Sequence, residues 1–318
     1  MIEKRNLFRQ RSVKGKGLHT DAAMPITDKR AAVFAHYDRD GIVDDYVLFY
    51  LSSLRKMCDR VVFVSTAALS AAELGKVRSL ADVAITRENA GHDFSSYKAG
   101  LAELEKTGLE TYSEIIMCND SAYGPLYPLE EMFASMENSD ADFWGVTESR
   151  EISHHIQSYF LVFRRAVFLS EIFSNFWAAM VPVQDRFEVV RRYEVGLARL
   201  LEENGFTSAA YIKAGAYNFL GYVRLMLSKF KKLRTLPWEI VWLKVKGLAR
   251  RPSSVYPNPT FTLWEELLIT RRNPFLKISL FRYNPAGVEI DNYPETIKSV
   301  THYDAQLITK HLARVKLH

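Results

Sequence analysis

Apolar and polar positions follow two alternating periods through the first 212 residues. AAVFAHY (31–37), RVVFVST (60–66), DVAITREN (82–89) and SEIIMCND (113–120) are short apolar runs rich in β formers. Runs of that length between polar ends predict strands. Between them lie DDYVLFYLSSLRKM (44–57), SAAELGKVRSL (70–80) and DFSSYKAGLAELEKTG (93–108), whose apolar spacing is helical. Each opens on Asp or Ser, and Gly108 closes the third, as helix ends require. Further along, DFWGVTES (142–149) predicts a strand and HHIQSYFLVFRRAVF (154–168) a strand passing into a helix. YEVGLARLLEENGF (193–206) predicts a helix stopped by Asn204-Gly205, followed by the strand TSAAYI.

Strands separated by helices of this length predict right-handed βαβ units, hence an α/β fold with a mostly parallel sheet flanked by helices. Ligands of such sheets sit beyond the carboxyl ends of the strands. Three polar tips should therefore meet at one edge: HYDRDG (36–41), TRENAGHDF (86–94) and CNDSAYGP (118–125). A segment near the C-terminus, NPTFTLWEELLITRRNPFLKISLFRYNPAGVEI (258–290), is ordered in pattern, and its Asn-Pro steps flank an amphipathic LWEELL. It is expected to lie against the functional face.

Composition adjusts this picture only in places. The 318 residues, 48% hydrophobic and 25% charged, suffice for a sizeable core. The first residues, MIEKRNLFRQRSVKGKG, are charged, lack the apolar core of a secretory signal, and suggest a mobile basic tail over 1–28. Residues 29–212 would be the α/β core, 213–251 a basic helical extension, and 252–318 a final segment packing on the core. Cys58 and Cys118 have no metal spacing and suit a reducing compartment. The net charge of +5 is uneven: Lys213 to Arg251 carries many cations, interleaved aromatics and leucines, and the one acid Glu239. Such a stretch suits an anionic membrane surface, or else a solvated helix pair with ordinary core faces. No nucleic-acid-binding pattern accompanies the charge, so nucleic acid is not an expected partner.

The strand tips carry the candidate chemistry. In Asn119-Asp120-Ser121 a carboxylate ends a buried strand. That placement suits a hard divalent cation bridging a diphosphate, since such a cation keeps waters and needs only one or two carboxylates. A plain Asx-turn explains it as well. Asp38-Arg39-Asp40-Gly41 suggests a metal, a nucleophile and acid pair, or an Asx-capped turn; with RVVFVST it also fits a haloacid dehalogenase-type phosphatase. His36 and Tyr37 could stack on a nucleobase or pack at a strand end. Arg87 could pair a diphosphate, and Asp93 could serve a ligand or cap its helix. Glu194 could take a proton from an acceptor hydroxyl or balance Arg191 and Arg192. His154, His155 and Gln157 precede an apolar strand, where they could bind hydroxyls.

Taken together, HYDRDGIVDDYVLFYLSSL, RENAGHDFSSYKAGL, IIMCNDSAYGPL, DFWGVTES with HIQSYFLVF, YEVGLARLLEENGF and NPTFTLWEELLITRRNPFLKISLFRYNP resemble the rhamnan synthesis protein F family over about Ala31 to Asn284. The resemblance implies a GT-A-like, Rossmann-type fold and a glycosyltransferase of cell-wall polysaccharide or O-antigen. Its donor would be a nucleoside-diphosphate sugar, with rhamnose the sugar of the family name, and its acceptor a lipid-linked glycan. His36, Tyr37, Asp38, Ser65 and Thr66 would then meet the nucleotide, and Arg87 the diphosphate. Asn89 and Asp93 would bind sugar hydroxyls, Asn119 and Ser121 would complete the donor site, and His155 and Gln157 would face the acceptor. Asp120 and Glu194 are the expected catalytic pair, and Asp120 is the one acidic ligand for a Mg²⁺ or Mn²⁺ cofactor that stays open. The enzyme would work at the inner face of the cytoplasmic membrane, beside other glycosyltransferases of its pathway. A haloacid dehalogenase-type phosphatase using Asp38 and Asp40, or a non-catalytic membrane- or glycan-binding module, are the competing expectations.

Overall fold

A computed structural model describes residues 28–149, 153–213 and 258–316. The expected tail, apart from Asp28, and the basic stretch 213–251, apart from Lys213, lie outside the described residues. The first four strands are β1 (Arg30–His36), β2 (Arg60–Ser65), β3 (Val83–Thr86) and β4 (Glu114–Asn119). They pair in parallel in the order β3-β2-β1-β4, with His36 opposite Ser65 and Ala35 opposite Asn119. The chain then forms β5 (Ala122–Tyr123), β6 (Phe143–Ser149), β7 (His155–Ile156), β8 (Phe160–Arg164), β9 (Ser208–Ile212) and β10 (Leu276–Lys277). β8 inserts antiparallel between β4 and β6, and β9 returns parallel to β6. The result is a mixed sheet, parallel in its first half, flanked by helices on both faces.

β1, β2 and β4 are apolar along most of their length because both faces are covered. Ala32, Phe34, Val61, Phe63, Ile116, Cys118, Trp144 and Val162 point into one core. Their neighbours Ala31, Val33, Val62, Val64, Ile115, Met117, Phe143 and Phe163 point into the other. That two-residue alternation is the pleat of the sheet. The first core is closed by α1 (Asp45–Met57), which follows β1 and buries Tyr46, Val47, Tyr50, Leu51 and Leu54 on one stripe. The short α2 (Ala71–Val77) starts where Ser70 accepts a bond from the Glu73 N–H. The second core takes α3 (His92–Glu105), then, past α4 (Leu129–Glu137) and α5 (Arg165–Phe168), α6 (Glu171–Ala179) and, after the short α7 (Arg186–Val189), α8 (Val195–Glu203).

Two expected elements differ in detail. The run 154–168 is not one strand: Gln157-Ser158-Tyr159 breaks it, so β7 pairs with β6 before β8 begins. Gln157 stays tied to β6, its N–H donating to the Thr147 carbonyl and its side-chain oxygen accepting the Thr147 hydroxyl, while Ser158 turns to Glu194. The helix expected from Tyr193 starts earlier, in a π turn at Val190–Glu194, where the Val195 N–H reaches back to the Val190 carbonyl. Such turns widen a helix locally and re-aim its side chains.

Past residue 257 the chain returns to the carboxyl edge of the sheet. β10 pairs antiparallel with β5, the Leu126 N–H bonds the Pro274 carbonyl, and the Ile278 N–H bonds the Ser121 carbonyl. Phe275 packs against Tyr50, Tyr159 and Phe160. The helix Gln306–Lys316 lies on α1. Among the described residues no helix is long and apolar enough to cross a membrane.

Candidate functional site

The tips of β1 and β4 and the start of α3 meet at the carboxyl edge. Asp120 follows β4 directly. Its Oδ2 accepts the Tyr37 N–H at 2.8 Å, and the His36 Nε2 lies 4.0 Å from the same oxygen. Burial pushes the Asp120 carboxyl well above its ordinary range, against the Tyr37 bond; Asp93 and Asp38 raise it further. His36 is buried and bonded through Nδ1 to the Ser65 Oγ at 2.9 Å, while Ser65 also accepts the Ala67 N–H. Burial takes the His36 imidazole down to about 4, so it is neutral at pH 7.

Asn119 forms the Asx-turn that its sequence allowed: its Oδ1 accepts both the N–H and the hydroxyl of Ser121. Its amide has a second task, donating to Asp93 Oδ2 at 2.8 Å. Asp93 is therefore not the cap of α3. Gly91 holds that position at φ 78°, and a Cβ there would meet Ser95 Oγ at 2.0 Å and Pro182 Cα at 2.8 Å. With the cap taken by glycine, Asp93 turns inward. Burial raises its carboxyl, Arg186, His92 and Lys277 oppose the rise, and Glu194 adds to it.

Glu194 closes the group from the opposite side. It does not balance Arg191 and Arg192, because both of those pair with Glu188. The π turn points Glu194 inward instead. Its Oε1 lies 3.2 Å from the His155 Nε2, and its Oε2 accepts the Ser158 hydroxyl at 2.5 Å. Burial would raise this carboxyl, yet the His155 bond and charge, then Ser158 and Lys277, hold it below the usual range.

Lys277 is the residue that the sequence reading missed. Its place opposite Ala122 in the β5–β10 pair carries it to the site, with Nζ 3.8 Å from the centre of the Tyr159 ring. Its charge acts on both Asp93 and Glu194. A lysine within NPFLKISLF has no local feature to set it apart from a solvated one.

The remaining candidates spread outward. Tyr37 is 50% exposed, and Asn89 lies exposed on its loop. The Thr66 N–H bonds the His36 carbonyl. Arg87 is engaged with its own loop, donating to the Ala90 carbonyl and the Ser96 hydroxyl. Gln157 accepts from Thr147, and His154 pairs with Glu148. Asp38 caps its turn, its Oδ1 taking the N–H groups of Asp40 and Ile42. Arg314, from the helix Gln306–Lys316, bonds Asp38, Asp40 and Asp44 together. Among the described residues no group of three or more His, Cys, Asp or Glu could hold a metal ion. A hard cation at Asp120 would draw its other oxygens from a ligand and water, which suits Mg²⁺ or Mn²⁺.

The strand order β3-β2-β1-β4-β8-β6, one antiparallel strand beyond the fourth, and acids collected past the carboxyl ends define a GT-A-like α/β protein of the Rossmann type. The family described as Rhamnan synthesis protein F matches residues 61–250, more than half of the chain, and the protein belongs to that family. Virulence protein VirA of Vibrio anguillarum is 27% identical over 287 residues, covering 86% of this chain and 84% of its own. Protein y4gN of Sinorhizobium fredii is 26% identical over 191 residues, 59% of this chain and 49% of that one. Among solved structures, a nucleoside-diphosphate-sugar pyrophosphorylase of Vibrio cholerae covers 58% of this chain and 92% of its own at 13% identity and a TM-score of 0.38. A 4-diphosphocytidyl-2C-methyl-D-erythritol synthase of Anaerococcus prevotii covers 58% and 87% at 9% identity and a TM-score of 0.34.

Proposed function

We propose that the protein is a glycosyltransferase that moves a sugar, rhamnose being the one the family name suggests, from a nucleoside-diphosphate donor to a growing lipid-linked cell-surface polysaccharide. One observation carries this: Asp120, the Asn119-held Asp93 and Glu194 come from three separate elements and gather at one half-buried site, Asp93 acting on Asp120 and Glu194 on Asp93, with Lys277 beside them. Sugar transfer needs such a mixture, acids for hydroxyls and a proton, and positive charge for a departing diphosphate.

In this reading Tyr37 and Thr66 face the nucleotide, the fully buried Ser65 holds His36 from behind, and His36 and the Tyr37 N–H orient Asp120. Asp93 and Asn89 serve sugar hydroxyls, and His155 and Gln157 line the acceptor side. Asp120 would hold Mg²⁺ or Mn²⁺, whose charge would offset that of the diphosphate. Glu194 accepts the proton of the attacking hydroxyl. The family membership supports a polysaccharide acceptor. The basic sequence 213–251 supports attachment to an anionic membrane surface on the cytoplasmic side, next to partner transferases.

The phosphatase reading loses ground because Asp38 and Asp40 are both engaged by Arg314. The decisive experiment screens nucleoside-diphosphate sugars for turnover with and without Mn²⁺, using wild type and Asp120→Ala. Asp120→Ala also takes away the acceptor of the Tyr37 N–H, so the variant is first shown to fold by its melting transition, and loss of turnover in the folded variant is the expected result. Unchanged turnover in a folded variant would remove Asp120 from the mechanism. Hydrolysis of an aryl phosphate dependent on Asp38 would favour the phosphatase, and glycan or liposome binding with no turnover of any donor would favour the binding module.

A further inference from the structure

The contacts of His155 constrain where a proton must sit. Its Nδ1 lies 2.8 Å from the Ser153 backbone carbonyl oxygen. A carbonyl can only accept, so Nδ1 carries hydrogen. In a neutral imidazole that choice leaves Nε2 as a lone pair. Yet Nε2 faces Glu194 Oε1 at 3.2 Å. A lone pair and an ionised carboxylate oxygen would repel at that distance. One of the two must hold a proton.

We infer that His155 and Glu194 share a single proton, so that the group receiving the acceptor's proton is an imidazole–carboxylate couple rather than an isolated glutamate. This rests on the glycosyltransferase reading above for its catalytic meaning, and on the contacts alone for the shared proton. The surroundings favour the couple. The His155 and Glu194 side chains are 4% and 15% exposed, and an unpaired charge buried so far would be costly. With one proton the couple is neutral overall. The Ser158 hydroxyl donates to the other carboxylate oxygen, Oε2. Lys277, from β10, stabilises the ionised carboxylate, while Asp93 and the Tyr97 phenol, both on α3, are the acidic groups that this carboxylate acts on. On β6, Glu148 is engaged by the neighbouring His154. The resting form is thus imidazolium beside carboxylate.

The couple gives the base a working state that burial alone would deny it. As the acceptor oxygen bonds to the anomeric carbon, its proton passes to Glu194. The bond from that carbon to the diphosphate breaks, and its electron pair leaves on the phosphate oxygen. The couple then holds two protons and releases one to water. His155 acts here as a positioning residue that keeps Glu194 ionised.

Two measurements test this separately. The first needs no catalysis: NMR of the wild-type protein at pH 7 reads the His155 ring nitrogens and the Glu194 carboxyl carbon. Both ring nitrogens protonated beside an ionised carboxyl is the expected result, and Glu194→Gln should lower the pH at which the ring loses its proton. A neutral ring facing an ionised carboxyl would overturn the inference. The second is the pH profile of kcat/KM for His155→Gln, which keeps a donor but not the charge. Its acid limb should move upward by about one unit or more. A uniform loss with the limb unmoved would mean that His155 only packs. If Glu194→Gln transfers sugar normally, the assignment of the base fails while the NMR result stands on its own.

Discussion

Asn119 Nδ2 donates to Asp93 Oδ2 at 2.8 Å, tying the end of β4 to the first turn of α3. One residue thus builds the turn ahead of Ser121 and satisfies a buried carboxylate from a different element. Asn119→Ala removes its bonds to the Ser121 N–H, the Ser121 hydroxyl and Asp93, and leaves Asp93 without its amide donor. A cost of about 1–3 kcal/mol is expected, the usual penalty for stranding a buried polar group. Urea unfolding should show a lower midpoint with an unchanged slope. A midpoint equal to that of wild type would mean that the bond adds nothing to stability.

His36 predicts acid sensitivity. Its folded value, about 4 through burial, is below the ordinary 6.5, so between those pH values the unfolded chain binds more protons than the folded one. Stability then rises with pH through that window and falls as the solution is acidified from 6.5 towards 4. The effect of this one side chain is on the order of 3 kcal/mol. Comparing wild type with His36→Gln cancels the contribution of the carboxylates. The difference in unfolding midpoint between the two should change across pH 4 to 6.5, and a constant difference would assign the acid response elsewhere.

Lys277 predicts a loss of function without a loss of fold. Lys277→Met keeps an unbranched side chain of similar length but removes the charge that lies over the Tyr159 ring and acts on Asp93 and Glu194. Both carboxyls should titrate higher, and transfer should fall by about a hundredfold, the scale of losing one electrostatic contact in a buried site. Lys277→Arg should recover part of it. Equal activity in all three proteins would make Lys277 a packing residue.

Arg314 predicts a local effect. Its guanidinium joins Asp38, Asp40 and Asp44, and its side chain is 20% exposed. Arg314→Ala leaves three carboxylates facing one another. Amide exchange at residues 38–44 should quicken, with a stability loss of about 1 kcal/mol, near the upper range for a solvent-accessible pair. Lysine should rescue little, since it lacks the planar fork that spans several acids. Unaltered exchange in that loop would show the clamp to be ornamental.

Much of the layered architecture was readable along the chain, because strand and helix periods, the Ser70 cap and the stop at Asn204-Gly205 are local properties. The convergence of the three tips followed from the parallel connections. Less readable was what each tip residue would do. Arg87 was legible as a cation beside the tips, but its bracing of its own loop through the Ala90 carbonyl three residues on was not. For Glu194 the sequence left open a base or a partner for two adjacent arginines, and those arginines pair with Glu188 one turn earlier.

By itself the amino-acid order determined the alternation of strand and helix, the two-sided burial of the sheet, and the edge where polar loops collect, since those depend on neighbours within a few residues. Only the tertiary structure decided that Lys277 enters the acidic site through the β5–β10 pair, that Arg314 reaches Asp38 across the chain, and that His155 meets Glu194. Those pairings join residues far apart in sequence, and a side chain carries no local mark of the distant partner that will neutralise it.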